Sequence, residues 1–123
     1  MGYIRLNVDG TVGAGAIAQE YVINTNKIIL VRAGLGGDSD NNLNFVTGIL
    51  PNQDPTVPDS PEGYVEQLSL RGTGFTAATV KRANDAIIAS QNNSTGVIGP
   101  SVVVFEAASG ETFGHINFLV SKQ

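Results

Sequence analysis

Residues 101–120 read SVVVFEAASGETFGHINFLV, and the way their two apolar arms are covered decides the fold. Val102-Val103-Val104-Phe105 and Ile116-Asn117-Phe118-Leu119-Val120 flank a turn built on Ser109-Gly110, which is the pattern of a hairpin. Side chains along a strand alternate between the two sides of its sheet, so Val102 and Val104 cover one side while Val103 and Phe105 cover the other. Both sides of such a hairpin need covering. One helix closes one face and leaves the second to another sheet or to a partner subunit. Val103, Phe105, Ile116, Phe118 and Val120 are therefore the expected interface residues of a homo-oligomer.

The remaining strands are read outward from that hairpin. Ile4, Leu6 and Val8 alternate with Arg5 and Asn7, a half-exposed strand closed by the turn pair Asp9-Gly10. Residues 14–23 admit a strand or two helical turns, with Tyr21-Val22-Ile23 favouring the strand. Asn24-Thr25-Asn26 then turns the chain into a strand over residues 27–33, which together suggest a second hairpin. Residues 43–50 resume as a strand until Pro51, and residues 52–61 carry three prolines and two aspartates. Ser60-Pro61-Glu62 has the composition of a helix start, with Gly72 to end it. Leu68-Ser69-Leu70 alternates, however, so residues 60–71 admit helix or strand.

Residues 76–90 form the clearest helix. Ala77, Val80, Ala83, Ala86 and Ile87 recur at helical spacing, Lys81, Arg82 and Asp85 fall mainly outside that stripe, and Thr76 caps the first turn. The apolar stripe is rich in alanine, and small side chains let a helix sit close to a sheet.

Composition narrows the function. The chain has 123 residues, which fits one domain over 1–123, and its 15% of charged residues is low against a norm of about 25%. A net charge of −4 with seven Lys and Arg residues opposes binding to phosphate backbones, so no nucleic-acid partner is expected. No apolar run approaches the ~20 residues of a membrane span, and the N-terminus lacks the layout of a signal peptide. The sequence reads as a soluble protein with no membrane partner. It has no cysteine, which removes disulfides, thiolate metal sites and cysteine nucleophiles.

Three stretches invite a chemical reading. Gly13-Ala14-Gly15-Ala16-Ile17-Ala18 matches G-x-G-x-x-A, but Arg5 and Asn7 interrupt the preceding strand and a turn intervenes, so it reads as a small-residue turn. Asp38, Asp40 and Asn42 place oxygen ligands at alternate positions, as calcium loops do. Leu43 then stands where such a loop wants glycine, and Ile49 where the closing glutamate belongs. Asp38, Asp40 and Asn42 are the candidate metal ligands. His115 is the only histidine, and its place between Gly114 and Ile116 suits a hydrogen-bonded strand residue better than a general base. No catalytic residue and no cofactor are expected.

Tyr3-Ile4-Arg5-Leu6-Asn7-Val8-Asp9-Gly10-Thr11-Val12-Gly13 and Val80-Lys81-Arg82-Ala83-Asn84-Asp85-Ala86-Ile87-Ile88-Ala89 resemble small structural proteins encoded by marine tailed phages. The resemblance implies a virion or assembly role, with other virion proteins as partners and a location in the virion or the host cytoplasm. It supplies no catalytic residues.

These readings converge on an α+β domain, with a mostly antiparallel sheet of about five or six strands and one main helix packed across it, in a homo-oligomer. The expected function is a non-catalytic structural or assembly subunit. The alternative is a small ligand- or metal-binding module using the loops at Asp38 to Asn42 and at residues 51–61.

Overall fold

A computed structural model describes residues 2–11, 17–34, 41–50, 64–92 and 101–122. The α+β class holds. Among the described residues one helix packs on mostly antiparallel strands, but these number seven and divide between two sheets. The smaller sheet has the order β2-β1-β6, from β1 (Gly2–Asp9), β2 (Ala18–Asn24) and β6 (Ser101–Val104). The larger has the order β3-β4-β5-β7, from β3 (Leu30–Gly34), β4 (Asn41–Leu50), β5 (Tyr64–Thr73) and β7 (Thr112–Lys122). Helix α1 (Ala77–Gln91) lies against β1 and β6 and reaches β3 at the edge of the larger sheet.

Alternation in β1 works as read. Ile4, Leu6 and Val8 point into the core, while Arg5 and Asn7 face solvent. From the larger sheet, Leu43, Phe45 and Leu70 meet them, and Ala83, Ala86 and Ile87 of α1 close the same core. Residues 64–73 resolve the choice between helix and strand in favour of strand, because Leu68 and Leu70 turn toward the core while Val65, Gln67 and Ser69 occupy the other face.

Both expected hairpins are instead crossings between the sheets. β2 pairs with β1, whereas β3 pairs with β4. The link is a 3-10 turn, Thr25–Lys27, whose Thr25 is fully buried. The Ser90 hydroxyl lies 2.8 Å from that of Thr25, and the Gln91 side-chain amide donates to the Thr25 carbonyl at 3.1 Å. These bonds tie the turn to the C-terminal end of α1, so the chain leaves one sheet for the other rather than folding back beside β2.

The C-terminal arms separate in the same way. β6 pairs with β1 in parallel, with Ile4 opposite Val103, and β7 pairs with β5. Residues 105–111 between them are fixed to the core and to α1. Phe105 is buried and packs on Phe113 at a ring separation of 5.0 Å. Glu111, its side chain largely buried, pairs with Arg82 and accepts hydrogen bonds from the Thr79 hydroxyl at 2.5 Å and the Ala108 amide at 2.9 Å. Burial alone raises a carboxyl pKa. Here the bonds from Thr79, Ala108 and Arg82, with the guanidinium charge, outweigh it and hold Glu111 below the ordinary glutamate range.

Two glycines permit the entry to the helix. Gly72 approaches the Thr112 backbone so closely that an added Cβ would lie 1.8 Å from its carbonyl oxygen, and Gly74 has a φ of 77°. Opposite them, β7 carries an irregularity in which Arg71 faces His115 and Gly72 faces Phe113, leaving Gly114 as the extra residue. This bulge lets Phe113 and Ile116 turn toward the same core.

Candidate functional site

β7 joins two environments. Its first residues sit under the smaller sheet, where Phe113 is 3% exposed and packs edge-on against Phe75 at 5.8 Å, and the Gly10 amide donates to the Gly114 carbonyl at 3.0 Å. Past the bulge, the core-side face of the larger sheet runs beyond the cover of the smaller one. Ile116 is half-buried against the core, opposite Leu70. Phe118, opposite Leu68, is 60% exposed, and Val120, opposite Glu66, is 54% exposed. An apolar cleft of about 360 Å³ opens beside them, lined by Tyr21, Ile23, Thr47, Leu68, Ile116 and Lys27. Cleft and strip share Leu68 and Ile116, so together they form one apolar surface. Between Thr112 and Ser121 the strand carries no Asp, Glu, Lys or Arg.

The five expected interface residues therefore divide. Ile116, Phe118 and Val120 share the face just described. Phe105 is corrected to a core position, since Phe113 and the Arg82 guanidinium, 5.7 Å from its ring centroid, cover it within the chain. Val103 points inward from β6 and packs against the core. The exposed side of β6 shows Val102 and Val104, but Arg5, ion-paired with Glu20 at 3.5 Å, stands between Val104 and Val22. That charge breaks the smaller sheet's outer face into single apolar residues, which are ordinary on a protein surface. Leu68 and Tyr21 were not among the residues singled out from the sequence. The alternation of Leu68 with Ser69 and Leu70 was the available signal for the first.

The opposite face of the larger sheet holds buried Val46 and Val65 at one end and polar rows at the other. Asn44, Ser69 and Asn117 stand in one register row, and Asn42, Arg71 and His115 in the next. Among the described residues Asn44 Oδ1, Ser69 Oγ, Gln67 Oε1 and His115 Nδ1 are buried without a hydrogen-bond partner. Such groups suit ordered water or a small polar molecule. Asn42 is half-buried in this face, and its Oδ1 accepts from the Gly34 amide at 3.2 Å and the Asn44 side-chain amide at 2.9 Å. Its carbonyl oxygen thus works within the β3–β4 pair. Asp38, Asp40 and residues 51–61 lie outside the described residues, as do residues 12–16 of the glycine motif. Its last residue, Ala18, opens β2, a strand antiparallel to β1, so the described residues that follow the motif form a strand and not the helix on which a dinucleotide pyrophosphate would rest.

No helix of the described residues is long and apolar enough to cross a membrane. Comparison with protein-family models, with curated proteins and with solved structures finds no match.

Proposed function

We propose that this chain is a non-catalytic structural or assembly subunit that associates with copies of itself through the exposed part of β7. The observation that carries the reading is Phe118, a large apolar side chain left 60% exposed beside an apolar cleft on an uncharged stretch of strand. Fully burying a Phe side chain is worth roughly 1.5–3 kcal/mol, and each copy contributes Phe118 and Val120 together. A stable interface buries about 1,200–2,000 Å² in total, so strip and cleft act as one surface. The resemblance to phage structural proteins extends the reading to a virion-associated role with other virion proteins as partners.

Phe118→Asp tests this directly, because a carboxylate buried in an apolar contact is costly. Wild-type protein is expected to sediment as an oligomer at micromolar concentration and the variant as a folded monomer. A monodisperse wild-type monomer would refute the reading.

A further inference from the structure

We propose that two copies join edge to edge through residues 116–122 of β7, antiparallel about a two-fold axis at Leu119, so that two four-stranded sheets become one continuous sheet of eight. This rests on the assembly reading and names its partner as a second copy and its contact as main-chain pairing.

β7 is the outermost strand of the order β3-β4-β5-β7 and, with 11 residues, the longest element of the larger sheet. One side pairs with β5 from Thr112 to Lys122. On the other side, among the described residues, the Gly114 carbonyl alone is engaged, by the Gly10 amide. An unpaired strand edge is a template for another chain, and proteins commonly blunt it with short strands, prolines, charges or bulges. The other three edges are blunted. β6 has 4 residues, β3 has 5 and carries Arg32, and β2 carries Glu20. β7 has no proline, its one charged residue is Lys122 at the very end of the strand, and its bulge falls at Gly114, outside the open segment.

The open segment fixes the register. Contact with Gly10 closes the edge at Gly114, so a second strand can lie against residues 116–122, whose midpoint is Leu119. Pairing about that midpoint sets Phe118 of each copy opposite Val120 of the other. Directly opposed side chains on one face of an antiparallel pair are in contact range, and aromatic with β-branched is a favourable combination. Both residues already project from the same face, so the pairing covers the exposed strip twice. Lys122 falls opposite Ile116, and no like charges meet. A two-fold contact of this kind is self-complementary and closes at the dimer.

The chain has no cysteine, which makes single-cysteine variants clean reporters. Leu119→Cys should oxidise to a covalent dimer about tenfold faster than Val102→Cys, since only the former holds its two thiols together in the complex. In an equimolar mixture of Phe118→Cys and Val120→Cys, the mixed disulfide should exceed the statistical proportion. These two exposed positions keep the test informative if Leu119→Cys fails to fold. If the wild type sediments as an oligomer but these disulfides form no faster than the Val102→Cys control, the edge-to-edge register is wrong and the assembly reading stands. If the wild type is a monomer, both fall.

Discussion

Phe113 and Phe118 lie five positions apart on one strand and have opposite fates. The first is 3% exposed between Phe75 and Phe105, whereas the second is 60% exposed beside an open cleft. Both belong to a stretch that is apolar by composition, and both project toward the core side of the larger sheet. What separates them is the reach of the smaller sheet, which packs on the start of β7, is bonded to it at Gly114 and borders the cleft at Ile116, but leaves Phe118 uncovered. Burial here is a property of what lies above the strand, and the uncovered half is where association has something to gain.

The largest break in that comparison is Phe113→Ala. Deleting a buried Phe side chain costs about 3–5 kcal/mol, so urea unfolding should show a sharply lower midpoint with an unchanged slope. At dilutions where the protein is monomeric, Phe118→Asp should alter the same transition by no more than about 0.5 kcal/mol, as surface substitutions usually do. A comparable loss at both positions would mean that Phe118 is core.

Glu111 sharpens the comparison from the anchored end of β7. Glu111→Gln removes a charge bonded by Arg82 and Thr79 and should cost about 1.5–3 kcal/mol at neutral pH. Because the folded-state pKa is lowered, this contribution is complete above the ordinary glutamate range and is lost as pH falls through the lowered value. Thermal unfolding across pH 3–7 should therefore show a gap between wild type and variant that narrows on acidification. A gap independent of pH would assign the loss to packing rather than to the carboxylate.

Local periodicity carried much of the fold. The alternation of Ile4, Leu6 and Val8 and the helical stripe through Ala83, Ala86 and Ile87 are consequences of backbone geometry, and each appears where its residues place it. The division into two sheets was not legible, because an apolar strand reads alike whichever neighbour it pairs with. It depends on contacts far apart in sequence, such as Thr25 with Ser90 and Glu111 with Thr79 and Arg82. The same limit explains the candidate site. Ile116, Phe118 and Val120 share a face by alternation, whereas Phe105 has the same local character and is claimed by the core. The polar rows through Ser69 and Arg71 required the register of three strands, which no single segment encodes.

The central claim is that residues 116–122 of β7 are an association surface, and amide hydrogen exchange followed at low and high protein concentration tests it most directly. Peptides spanning residues 115–122 should exchange more slowly as concentration rises, while those from the centre of β4, already paired on both sides, stay constant. Exchange of residues 115–122 that is the same at every concentration would contradict the account.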